Sequence, residues 1–208
     1  MNNYEYIIAS LPDLALQAFG PSAAQHGQGP EVDAIVEEIR EQLGSGDIAA
    51  LQKVMDGFES GKLTPEFYAD ALASRQDFIR EYFRFDLNVR NTKVAYLNEA
   101  IGRPEGADIM VLEGYEPGEY DEEPEVSAML KGSDILERER GLDKIMWAKV
   151  EELTNLHIFD LDIILGFIVR LKIIDRGLRL DPETGRELFG RLVAEIRSGS
   201  PVAASIKE

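Results

Sequence analysis

The chain has 208 residues, with 39 Asp and Glu against 22 Lys and Arg, a net charge of −17, no cysteine and two histidines. Acidity on this scale repels phosphate backbones and anionic lipid, which argues against nucleic acid or a lipid surface as the main partner. The missing cysteine removes disulfides, thiol nucleophiles and cysteine-based zinc sites.

The charge is uneven: residues 1–130 hold 9 Lys and Arg against 25 Asp and Glu, and residues 131–208 hold 13 against 14. The N-terminal stretch "YEYIIASLP" is rich in aromatic and β-branched residues before Pro12, and predicts a short strand or extended segment. It has neither the basic start nor the apolar core of a secretory signal. Residues 19–30 read as a loop of Gly, Pro and small polar residues.

Val32, Ile35, Val36, Ile39 and Leu43 then form a helical stripe, with Gly44 as its stop. Ile48, Leu51, Val54, Met55 and Phe58 form a second stripe with Asp47 placed to cap it, so the pair predicts an αα-hairpin. Thr64 and Pro65 are the N-cap and first residue of a third helix that runs to Phe83 without Gly or Pro. A fourth is expected to end near Ile101, at "GRPEG". Glu116, Glu119, Asp121, Glu122, Glu123 and Glu125 make residues 113–125 an acidic loop, expected to be exposed and mobile. "SDILERERGLDKIMWAKVEELTNL" predicts one long helix, Asp160 to about Leu178 another, and Asp181-Pro182 the start of a last one. The longest apolar run, Ile163 to Val169, is far short of the roughly 20 residues that a membrane span needs.

The predicted fold class is therefore mainly all-α: antiparallel helix pairs in a bundle. It reads as a single helical domain over residues 1–208, with two similar parts (about 1–104 and 126–198) joined by the acidic loop. The case for two parts is Phe85-Asp86-Leu87, which recurs 74 residues later as Phe159-Asp160-Leu161. Val89, Val94 and Leu97 then align with Ile163, Ile168 and Leu171. Phe85, Asp86, Phe159 and Asp160 are expected to be corner residues of a helix-corner-helix unit. In it the Phe is buried at the corner and the Asp accepts hydrogen bonds from the first turn of the new helix. The first copy carries Arg90 and Asn91 where the second is apolar, so these two are candidate partner-docking residues. Glu119, Tyr120 and Asp121 of the acidic loop are the others.

No catalytic motif emerges. "LGSGDIA" imitates a dinucleotide Gly signature but follows an amphipathic helix instead of a strand. "GFESGKL" has three residues between its glycines where a phosphate loop needs four, and Leu63 stands where Ser or Thr would hold magnesium. His26 and His157 have no partner at ligand spacing, and Trp147 reads as a core or interface anchor. No cofactor, metal or catalytic residue is expected.

"LDKIMWAKVEEL" followed by "FDLDIILGFIVRLK" resembles the repeating unit of the C-type central-stalk subunits of V-type and A-type ATPases, known as d-type in the eukaryotic V-ATPases. "YEYIIASLPDL" and "FDLNVRN" look more like an uncharacterised bacterial protein family encoded beside V-type ATPase subunits. The resemblance implies a non-catalytic subunit or assembly factor that couples the rotor shaft to the membrane ring. Its partners would be rotor-shaft and membrane-ring subunits. It would be cytoplasmic and peripheral to the inner membrane, without inserting into it. Two other readings compete: a free-standing helical interaction module that uses the acidic loop as its docking segment, and a carboxylate-based hydrolase. The hydrolase would require two acids to converge in one buried pocket.

Overall fold

A computed structural model describes residues 4–11, 14, 32–115 and 120–179. Eight α-helices follow one another among these residues: α1 Tyr4–Ser10, α2 Val32–Gln42, α3 Ser45–Asp56, α4 Pro65–Leu72, α5 Asp77–Ile101, α6 Glu123–Leu130, α7 Ile135–Thr154 and α8 Leu161–Arg179. A 3-10 turn, Ser60–Lys62, precedes α4. The only β feature among the described residues is an isolated bridge between Leu112 and Tyr115, so the all-helical class holds. The loop at residues 19–30, the helix expected from Asp181, and Glu119 lie outside the described residues.

The helices begin where local chemistry starts them. Thr64 Oγ1 accepts the Phe67 amide and Pro65 occupies the first turn of α4. Asp134 caps α7, taking the amides of Leu136 at 2.7 Å and Glu137 at 3.0 Å. Asp160 takes the Ile163 amide at the start of α8. Gly102, in the left-handed region at φ 69°, closes α5, and the Arg103 amide returns to the Asn98 carbonyl at 2.9 Å.

The core is built around α8. Leu161, Ile164, Leu165, Phe167, Ile168, Val169, Leu171, Ile173 and Ile174 are all buried, so this helix is apolar nearly all round. It packs against α7, α3, α5, α1 and α2, which brings the start and end of the described chain together. Gly166 lets α7 approach closely, since a Cβ there would lie 2.6 Å from Thr154 Cγ2. An aromatic cluster fills the α4–α5 side, where Phe67 and Phe83 meet edge to face at 5.0 Å and Tyr82 and Phe83 at 5.2 Å.

Five expectations need correction. Tyr4–Ser10 is a helix, not a strand, because Ile7 is buried in the core, and the Tyr4 hydroxyl binds Asp47 of α3 at 2.9 Å. The spacing of Tyr4, Ile7, Ile8 and Leu11 is helical, and burial overrides the β-preferring residue types. Asp47 does not cap α3; Gly44 holds that position, and Asp47 sits in the first turn.

The break between the third and fourth helices falls at Ala73–Gln76, not at Phe85. There Ser74 Oγ accepts the Gln76 amide at 3.1 Å, and Arg80 reaches back to the Ser74 carbonyl. Gln76 also donates to Asp162 at the start of α8.

Phe85 and Asp86 therefore lie inside the 25-residue helix α5 and form no corner. Nothing between Asp77 and Ile101 breaks a helix, and an interior Asp costs only about 0.7 kcal/mol relative to Ala. Burial of Phe83, Phe85, Leu87 and Val89 outweighs that. The second copy does turn the chain, but Phe159 is 55% exposed instead of buried.

Candidate functional site

Helix α5 is a wall between two hollows. On one side α5, α7, α8 and the segment from Gly57 to Tyr68 enclose a cavity of about 540 Å³. Its polar lining comes from Tyr68, Tyr82, Asp86, Arg90, Lys93, Asp143 and Arg176, and its apolar lining from Phe58, Leu63, Val89, Leu142, Met146 and Ile173. Asp86, Val89, Arg90 and Lys93 share one face of α5 because they are spaced three and four residues apart.

Each carboxylate in the cavity has a partner. Asp86 accepts the Tyr68 hydroxyl at 2.6 Å, and Asp143 accepts Arg176, which also lies 3.7 Å from Glu139. Burial pushes the Asp86 carboxyl above its usual range, although the Tyr68 hydrogen bond and the charges of Lys93, Arg90 and Arg176 pull the other way. Burial likewise raises Asp143 against the opposing pull of Arg176. The Tyr68 and Tyr82 phenols are raised as well, by burial first and by the Asp86 charge second.

The cations are less well matched. Arg90 and Lys93 act on Asp86 through their charge, without a hydrogen bond or an ion pair within 4 Å among the described residues. The Nε atoms of Arg90 and Arg176 are buried without an acceptor. Arg40 Nε, outside the cavity, is buried without an acceptor as well.

Asn91 faces the other way, toward the second hollow. It is 6% exposed and clamps the backbone of Met110, donating from Nδ2 to the carbonyl at 2.9 Å and accepting the amide on Oδ1 at 2.9 Å. Tyr120 is anchored too, packing edge to face on Phe85 at 5.9 Å with its hydroxyl 2.9 Å from Thr92 Oγ1. Only Asp121 of the described candidates stays exposed on the acidic segment. The C-terminal end of that segment is not a free loop: residues 123–125 open α6 (Glu123–Leu130), and Glu122 pairs with Lys149 at 2.7 Å. The second hollow, of about 800 Å³, lies between α5, α6 and residues 103–109. Trp147 is buried, with its indole N–H on Glu151 at 2.8 Å and Arg170 over its ring.

A third feature was not legible as a site in the sequence. At the turn from α7 to α8, Leu156 is 91%, Ile158 68% and Phe159 55% exposed. His157 between them binds Asp160 at 2.7 Å and lies 3.6 Å from Asp162, and Asp160 pushes its imidazole pKa up. Three large apolar side chains within four residues form an exposed tip of the kind that marks a contact surface. Among the described residues no group of three or more His, Asp or Glu is placed to hold a metal ion, and no helix is long and apolar enough to cross a membrane.

Residues 114–200 match the model of a family described as a protein of unknown function (DUF2764). The match takes in α6, α7 and α8, with the apolar tip and the Asp143–Arg176 side of the cavity, and leaves out α5 with Asp86, Arg90 and Lys93. No curated protein and no solved structure matches the chain.

Proposed function

We propose that this protein is a non-catalytic helical subunit or assembly factor of a V-type ATPase. It is cytoplasmic and peripheral to the membrane, and docks on rotor-shaft or membrane-ring subunits through the α7–α8 tip. The observation that carries this reading is the exposure of Leu156, Ile158 and Phe159 on a chain this acidic. These side chains fall within the stretch whose sequence resembles the C-type central-stalk subunits. The resemblance rests on one helix-corner-helix unit, α7 and α8, because Phe85-Asp86 forms no second corner. Full-length tagged protein recovered from its own cells should co-purify with shaft or ring subunits, and Leu156→Ser with Phe159→Ser should abolish that recovery. Normal ATPase assembly and proton pumping in a deletion strain would overturn the reading.

One observation favours a second reading, a carboxylate-based hydrolase: Asp86 and Asp143 do line one cavity. Both carboxylates are already engaged, by Tyr68 and Arg176, which favours a braced interior over a reacting pair. Hydrolysis of a generic ester or phosphoester that is lost in Asp143→Asn would move the balance toward it.

A further inference from the structure

The cavity between α5, α7 and α8 has more positive charge than its own carboxylates use. Three cations, Arg90, Lys93 and Arg176, line it with two carboxylates, Asp86 and Asp143. This occurs in a chain where acids outnumber bases 39 to 22. Elsewhere, bases such as Lys53, Lys62, Arg80 and Lys149 sit within ion-pair distance of an acid. Arg90 and Lys93, one turn apart on α5, do not. Glu139 lies 3.7 Å from Arg176, and its charge also acts on Asp143.

We propose that this cavity binds a small organic anion, a carboxylate or a phosphate monoester with an apolar body, its oxyanion held by Arg90, Lys93 and Arg176. A guanidinium fork matches the paired oxygens of a carboxylate or a phosphate, and a nearby ammonium adds charge without demanding geometry. Arg90 and Lys93 line the cavity with no acidic side chain of the described residues within ion-pair distance, and an oxyanion supplies the acceptors they lack. Phe58, Leu63, Leu142 and Met146 give the body of the ligand an apolar wall. The volume, about 540 Å³, lies in the range of small-molecule sites. Arg90 and Lys93 bring two positive charges to a face of α5 whose one carboxylate is Asp86, which suits a singly or doubly charged group. The site needs none of the tip residues, so it stands or falls independently of the ATPase reading.

The test uses the full chain with three probes: phenyl phosphate, benzoate and the uncharged benzyl alcohol. Either anion should bind saturably and raise the melting temperature, benzyl alcohol should not, and the tighter anion identifies the ligand class. Arg90→Gln with Lys93→Gln should weaken binding tenfold or more, whereas Lys144→Gln on the exposed face of α7 should leave it unchanged. In the wild-type protein, the anion should move the Nε–H resonances of Arg90 and Arg176, a readout that survives even if the double variant misfolds. Unmoved Nε–H signals with both anions, or equal binding by a folded double variant, would overturn the proposal.

Discussion

The Tyr68 hydroxyl donates a 2.6 Å hydrogen bond to Asp86, tying the fully buried ring of α4 to the middle of α5. Tyr68→Phe keeps the edge-to-face contacts and removes only this bond. The expected loss is about 1–2 kcal/mol, toward the low end for a bond to a charged group because Lys93 and Arg90 still favour the carboxylate. Urea unfolding of the two proteins at neutral pH measures it.

The same carboxyl sets a pH dependence. Its pKa is raised above 3.8 in the folded protein by burial, so the fold binds this proton more tightly than the unfolded chain does. Stability from this group therefore grows as pH falls through the raised value toward 3.8, and at neutral pH its ionised form costs stability. Asp86→Asn, which can still accept from Tyr68, should be as stable as wild type or more so at pH 7. The difference should shrink in acid. Unfolding curves across that pH range would refute this if the variant were weaker at pH 7 and gained on wild type in acid.

Gly166→Ala should destabilise the α7–α8 contact. The new methyl would meet Thr154 Cγ2 at 2.6 Å and Val150 Cγ1 at 3.2 Å. Thr154 cannot swing aside cheaply, because its hydroxyl is bonded to the Val150 carbonyl at 2.8 Å. Overpacking costs about 1–3 kcal/mol and exceeds the roughly 0.5–1 kcal/mol that Ala gains over Gly within a helix. A lowered melting temperature is the expected result.

Asn91→Ala removes both bonds to Met110 and leaves its amide and carbonyl without these partners. Hydrogen exchange should rise across residues 103–115 while α7 and α8 keep their protection. Uniform exchange in the two proteins would show that the clamp holds nothing.

His157 should titrate above its ordinary 6.5, because Asp160 favours the imidazolium and Asp162 adds to it. Its stabilising contribution is complete below the ordinary value and is lost as pH rises through the raised one. The Asp160→Asn variant should return the midpoint, read from the imidazole proton resonance, toward 6.5.

The sequence displayed most of the helices because their starts are local: Thr64-Pro65 and the stripe of α8 can be read without knowing the neighbours. It did not display the interruption at Ser74, which depends partly on Gln76 reaching Asp162, 86 residues away. Phe85-Asp86-Leu87 misled for the same reason. A capping Asp and an interior Asp look alike until Tyr68 is known to sit against it. Arg90 stood out among the docking candidates, and Lys93 shares its face of α5. Asp143 and Arg176, however, join them only through the packing of α7 and α8 on α5.

The central position of α8 has a consequence in time. It is the last of the described helices to be synthesised, yet α1, α2, α3, α5 and α7 all lean on it. At roughly 5–20 residues per second, a ribosome needs on the order of four to sixteen seconds to go from the end of α5 to the end of α8. Until then the earlier helices can pack on one another, but the apolar faces that meet α8 stay uncovered.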